Sequence, residues 1–503
     1  MIMDQPTRRD MLATLGMAPL LLAPGAALAA AEPFSFDLLK RRAAQLARRP
    51  YQAAPPVPGA SGVDFDAAWK IRFRAERTLF AGTATPVRLF PPIATAQLPI
   101  AINIVKNGVA TPLDAAGDWF SAPDGIRVPA GFAGFRVMTE GKESDWLAFM
   151  GASYFRSSGE RDQYGLSARA IAVNVGIDGR EEFPRFTEFW LEPAADGALT
   201  IYALLDGESL TGAFRFVCRS GKKGVTQDVT GFLRIRRDIQ RLGFAPATSM
   251  FWYGEGNRRD ATDWRPEIHD SDGLAIINGR GERVWRPLAN PRRPIINTFA
   301  DDSPAGFGLL QRDQHFDHYQ DDGAFYDRRP GLWITPQGKW GKGAVALYAF
   351  PTRSETDDNV VAYWSPAGIA KSGQEFNYAY RLDWTSEDPT ASPLARVTDV
   401  WTGAGGIPGA PQRAGVTKLV ADFRGPTLKG LGRDSGVTFA ASMVRGRILS
   451  ATPYPVAGSE SHWRAMLELS LDGGGEPADL RLTLQQGGKA ISETLITQLF
   501  AGN

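Results

Sequence analysis

Cysteine is almost missing from this chain. Cys218 is the only one in 503 residues, so no internal disulfide can form. Histidine is scarce too. His269, His315, His318 and His462 compose no H-E-x-x-H and meet no cysteine cluster, which argues against a structural or catalytic zinc site. His315-x-x-His318, with Asp313 and Asp317 beside it, is the nearest approach to a ligand set, but its alternation with Phe316 reads better as strand or loop. There is no G-x-S-x-G elbow for a serine hydrolase. Gly338-Lys339-Trp340-Gly341-Lys342-Gly343 lacks phosphate-loop spacing and reads as a turn. An excess of one charge is also absent: 56 Lys plus Arg face 55 Asp plus Glu. Such a balance creates no global field for nucleic acid or an anionic membrane. No cofactor and no metal is expected.

Long apolar runs are confined to the N-terminus. Arg8-Arg9 precede an apolar stretch over residues 11–28 that closes on Ala27-Leu28-Ala29-Ala30-Ala31. A positive n-region, a short h-region and small residues at the end make a cleaved export signal, and paired arginines mark its twin-arginine form. Gly16, Pro19, Pro24 and Gly25 interrupt the run, which disfavours a membrane anchor. Residues 1–31 are therefore expected to be removed on export to a periplasm.

The remaining chain is long enough for a large core and more than one domain. One helix is expected over residues 36–48, with Leu38, Leu39, Ala43 and Leu46 on its apolar face and a solvated basic face. Beyond it the pattern is β. Ala68-Trp69-Lys70-Ile71-Arg72-Phe73 alternates, as do residues 199–205 and 214–217. Two runs flanking Asn278-Gly279 read as a hairpin, and further strands fall at 345–350, 360–364, 378–384, 467–471 and 480–484. Strands without interleaved helices point to an all-β chain of sandwiches. The polar, proline-bearing residues 386–393 read as a linker between a domain at 32–385 and a smaller one at 394–503, the usual size of an immunoglobulin-like sandwich.

Seven of the thirteen tryptophans lie between Trp252 and Trp384, in a region dense in Asp, Arg and Tyr. Flat rings beside convergent polar groups suit sugar binding, although any single Trp is better read as core. Two polar clusters stand out: residues 263–274, with His269-Asp270-Ser271-Asp272, and residues 355–364, with Glu355-Thr356-Asp357-Asp358-Asn359. Carboxylates facing each other across a cleft are the minimum for glycoside chemistry, one protonating the leaving oxygen and one activating water. Asp and Ser also cap turns, so these clusters have a second reading as loops.

Longer motifs carry a resemblance. Gly151-Ala152-Ser153-Tyr154-Phe155-Arg156, Tyr164-Gly165-Leu166-Ser167-Ala168-Arg169, the 263–274 cluster and Trp285-Arg286-Pro287-Leu288 all contribute. So do residues 306–313, Tyr319-Gln320-Asp321, Arg328-Arg329-Pro330 and Trp340-Gly341-Lys342-Gly343. Over essentially the whole mature chain the sequence resembles the family of periplasmic glucan biosynthesis proteins D and G. The twin-arginine signal, and Asp272 where G-type members tend to carry Asn, side with the D type. The resemblance implies a large galactose-mutarotase-like β-sandwich followed by an immunoglobulin-like domain. It implies action on β-1,2-glucan, as an inverting hydrolase or as a transglycosylase. By motif position Asp358 is the general acid and Asp270 the general base, while Glu355, Tyr326, Arg329, Asp272 and His269 bind substrate. Such a pair needs ~6.5–9.5 Å between carboxyls, or a longer relay through water and sugar hydroxyls.

Asp357 stands where many members have Asn, which leaves it as the alternative acid, and Gly331 replaces a common Ser. The Gly/Pro-rich residues 402–415 match a variable loop and are expected either to cover the cleft or to be a solvated connector. Partners are the glucan itself, no nucleic acid, and, as open alternatives, a second copy of the chain and an inner-membrane glucan synthase. The competing functional readings are a non-catalytic glucan-binding subunit of the assembly and export machinery and, more weakly, a mutarotase-like epimerase.

Overall fold

Alternation along the strand Leu199–Asp206 sends Leu199, Ile201, Ala203 and Leu205 into one core and Tyr202 to the opposite face. The computed structural model describes residues 31–500, apart from 178, 391, 408, 410–412, 414 and 474–475. All of the expected export segment except residue 31 falls outside them. No helix among the described residues is long and apolar enough to cross a membrane.

Two large sheets dominate, one of 16 strands and one of 10. They pack face to face through a shared core in which Phe149 and Phe155 of the smaller sheet meet Phe216 of the larger, with ring centroids 5.4 and 5.2 Å apart. The larger sheet's other face is covered by the helix Phe36–Leu46, which Ser35 caps and which buries Leu39 and Ala43. Leu38, expected on that face, is exposed. The basic side of the helix is partly engaged, since Arg42 pairs with Glu188 at 2.5 Å. The alternation at 68–73 is misleading: Asp64 caps a helix, Phe65–Lys70, and only Arg72–Phe73 is strand. A side-chain cap on the Ala67 amide overrode a period-2 pattern too short to pair.

The smaller sheet positions the chemistry. In it the strand Val360–Pro366 lies between Lys342–Ala349 and Leu242–Ser249, followed by Ser167–Arg169 and Tyr154–Ser157. Gly338 and Gly341, both at positive φ, turn the chain from Gly331–Gln337 in one sheet to Lys342–Ala349 in the other, as expected of a turn.

The C-terminal strands form a second sandwich. A four-stranded sheet, Arg396–Ala404, Val416–Arg424, His462–Leu471 and Gly446–Pro455, shares a core with Val437–Val444, Ala478–Gln486 and Thr494–Leu499. The last three strands continue the large sheet, because Thr494–Leu499 pairs parallel with Arg283–Pro287. Trp285, Leu310 and Trp333 from the N-terminal part enter this core. Within residues 386–393, Asp388 is anchored: its buried carboxylate lies 3.5 Å from Arg283, 3.6 Å from Arg312 and 3.8 Å from Arg396. In the 402–415 segment, Gly406 donates to Glu468 and accepts from Lys418, while residues 408, 410–412 and 414 lie outside the described residues.

Candidate active site

One short segment, Met250 and Phe251, anchors both carboxylate-bearing stretches. The Asp270 amide donates to the Met250 carbonyl at 2.9 Å, and Phe251 pairs with His269. From the other side, the fully buried Asn359 accepts from the Phe251 amide at 2.8 Å and donates to the Phe251 and Phe350 carbonyls at 3.0 and 2.9 Å. An amide side chain in that arrangement replaces a missing strand and fixes the residue before it, Asp358. The two clusters of acidic sequence are thereby brought to one place.

On the Asp270 side the polar groups are connected. Arg329 forms an ion pair with Asp270, lies 3.8 Å from the Tyr326 ring centroid and donates to the Ala324 carbonyl at 3.2 Å. The Tyr326 hydroxyl donates to Glu355 at 2.8 Å, and Arg265 donates to Glu355 at 2.9 Å and to Asp321 at 2.7 Å. Burial acts upward on the Glu355 carboxyl, yet the hydrogen bonds from Arg265 and Tyr326 outweigh it and hold it below its usual value. Beneath them Gln311, itself buried, accepts from or donates to four groups: the His269 ring and carbonyl, the Tyr319 hydroxyl and the Tyr326 carbonyl.

Asp358 is different. Among the described residues its carboxylate accepts no hydrogen bond. It is exposed, yet crowded by protein, so poor hydration raises its carboxyl above the usual value and the charge of Asp270 adds to this; Arg156 and Arg169 act in the opposite sense. Its neighbour Asp357 is exposed and accepts from the Thr352 hydroxyl at 2.8 Å.

The family model described as periplasmic glucan biosynthesis protein, MdoG, matches residues 34–499. The chain belongs to this family. Its role is accordingly in periplasmic glucan biosynthesis. It is 45% identical to glucans biosynthesis protein D 1 of Ralstonia nicotianae, over 97% of each chain. It is 42% identical to glucans biosynthesis protein D 2 of the same organism, over 98% of this chain and 97% of that one. The probable glucans biosynthesis protein D of Shewanella oneidensis is 42% identical over 93% and 89%. Among solved structures, a galactose mutarotase related enzyme from Lactobacillus acidophilus aligns over 58% of this chain and all of its own, at 10% identity and a TM-score of 0.23.

Two expected substrate contacts are corrected. His269 is fully buried, with one ring nitrogen on Gln311 and the other 3.0 Å from Glu267, so it anchors the short strand Ile268–His269 that leads into Asp270. Asp272 accepts the Arg312 and Asp313 amides at 2.9 and 2.8 Å, with its other oxygen buried, and holds that loop in place. Glu267, Asp313 and His318 offer ligand atoms within 4.8 Å of one another. Glu267 also contacts His269, and Asp313 contacts His318 at 2.6 Å. His318 lies on a short helix, Phe316–Tyr319, in place of the expected strand or loop. Of the seven clustered tryptophans, Trp285, Trp333, Trp364 and Trp384 are buried core, while Trp264 is 71% exposed. Arg265, Gln311 and Asn359 are the supporting residues that sequence reasoning passed over. A lone arginine among the acids of residues 263–274 was the available signal for the first.

Proposed function

We propose that this protein acts on β-1,2-linked glucan as an anomer-inverting glycosidase or transglycosylase, setting the length or shape of the glucan backbone. The observation that carries the reading is the contrast between its two carboxylates, anchored on one segment. Asp358 is unpartnered and raised, as a proton donor requires, and Asp270 is a carboxylate held by Arg329. Asp358 gives its proton to the glycosidic oxygen as the C1–O bond breaks. Water attacks C1 from the opposite face and passes its proton to Asp270, directly or through a sugar hydroxyl, so the anomer inverts. In transfer, a sugar hydroxyl takes the place of that water. Glu355, Tyr326, Arg329 and Arg265 offer donors and acceptors to substrate hydroxyls around the reacting bond.

The test is incubation of the purified protein with linear β-1,2-glucan, reading products by mass and by anomer. Inverted products lost in both Asp270→Asn and Asp358→Asn support the reading, and ring products would be lighter than linear ones by one water. The connected ion pairs around Glu355 would serve glucan binding equally well. Binding without any turnover would therefore favour a glucan-binding subunit. Arg8-Arg9 support a twin-arginine export route: changing both to Lys should leave the precursor in the cytoplasm, because on that reading the guanidinium pair is what is recognised. Normal export of that variant would exclude the twin-arginine route.

A further inference from the structure

The two motifs at residues 151–156 and 164–169 touch the chemistry described so far only through the charges of Arg156 and Arg169, yet they converge. Arg169 pairs with Tyr154 across neighbouring strands, and Ala168 with Phe155. Phe155 and Ala168 point into the core between the sheets, so alternation turns Tyr154, Arg156 and Arg169 to the opposite face. The row Phe155–Ala168–Ala247–Ala362 crosses four strands. Stepping from Phe155 to Arg156 moves in the direction that leads from Ala362 back through Val360 to Asp358. Arg156 therefore stands at the end of the sheet where the acid is.

The two arginines are used differently. Arg169 is buried, 4.8 Å from the Tyr154 ring centroid, 5.2 Å from that of Phe183 and 2.9 Å from Glu181. It holds Tyr154 in place. Arg156 is exposed and, among the described residues, has neither a hydrogen bond nor an ion pair. Its charge lowers the Asp358 carboxyl, as does that of Arg169, while burial and the charges of Asp270 and Asp357 raise it. Tyr154, close enough to sense Asp358, completes the surroundings. Among the described residues this guanidinium makes no hydrogen bond or ion pair that would account for it, and its charge works against protonation of Asp358. Its fork of N–H donors does match the two adjacent equatorial hydroxyls, O3 and O4, that a 1,2-linked glucosyl unit leaves unsubstituted.

We infer that Tyr154 and Arg156, braced by Arg169, form a glucosyl-binding wall on the Asp358 side of the cleft, with Arg156 gripping vicinal hydroxyls. This rests on the proposed action on β-1,2-glucan. The test uses full-length mature protein with Arg156→Ala and Arg156→Lys. KM for linear β-1,2-glucan should rise about 10-fold or more in both, since charge-assisted hydrogen bonds are worth that much and an ammonium cannot take two hydroxyls in a fork. The alkaline limb of the kcat/KM profile should move to higher pH in Arg156→Ala, where the acid keeps its proton longer. It should stay near wild type in Arg156→Lys, which retains the charge. Unchanged KM together with an unmoved limb overturns the inference, whatever the variants do to the melting temperature. Calorimetry with a linear β-1,2-gluco-oligosaccharide separates this from failure of the parent reading. A wild-type protein that binds but does not turn over fails the catalytic proposal alone, and equal binding by wild type and Arg156→Ala fails the wall.

Discussion

The surroundings of Asp270 and of Asp358 are built on opposite plans. On the Asp270 side the charged groups are partnered: Asp270 by Arg329, Glu355 by Tyr326 and Arg265, and Arg265 in turn by Asp263 and Asp321. Asp358 and Arg156, by contrast, have no hydrogen-bonded partner among the described residues. A connected polar network resists movement and fixes geometry. On the proposed function, groups left without protein partners are the ones free to give up a proton or take a sugar hydroxyl.

The strongest way to break that comparison is Asp358→Asn. Turnover should fall ~10²–10⁴-fold with no change in melting temperature, because the lost group makes no protein hydrogen bond. Asp357→Asn should be mild; if it instead abolishes activity while Asp358→Asn does not, the free acid has been placed one residue too late. Asp270→Ala should behave unlike Asp358→Ala in denaturation. Stranding the largely buried Arg329 guanidinium should destabilise by roughly 3–5 kcal/mol, measured by urea unfolding. Equal stability of the two alanine variants would erase the distinction between the two carboxylates. Gln311→Leu, which leaves the His269 ring and the Tyr326 carbonyl without their partner, should cost about 1–3 kcal/mol in the same assay.

The gentlest probe is pH. Burial by itself would push the His269 imidazole down, but the Glu267 hydrogen bond and charge, with the charges of Asp272 and Glu255, raise it to about 9. A histidine raised on folding contributes stability that is complete below its ordinary pKa of about 6.5 and is lost as pH climbs through about 9. Unfolding free energy should therefore decline over that interval, and the decline should flatten in His269→Gln. A slope unaffected by that substitution would place the titrating group elsewhere.

Polar density alone makes residues 263–274 and 355–359 stand out, and the family resemblance singles out Asp270, Asp358, Glu355, Tyr326 and Arg329 within and near them. The same pattern points wrongly at His269 and Asp272, because a buried histidine paired with a glutamate has the same local sequence as one open to substrate. The tryptophan cluster misleads for a related reason. Both a sugar platform and a sandwich core call for large aromatics, and only burial tells Trp364 from Trp264.

The sequence by itself determined the β class, since alternation such as Leu199, Ile201, Ala203 and Leu205 is a local property that survives into the fold. It also determined the helix at Phe36–Leu46, where a Ser35 cap precedes an amphipathic run. Tertiary structure alone decided that Asn359 would stand in for a strand against Phe251, that Asp270 would hang from Met250, and that Thr494–Leu499 would join the large sheet beside Arg283–Pro287. These are pairings between distant segments, selected by register and by the burial of whole faces. No periodicity within either partner encodes which other segment it will meet.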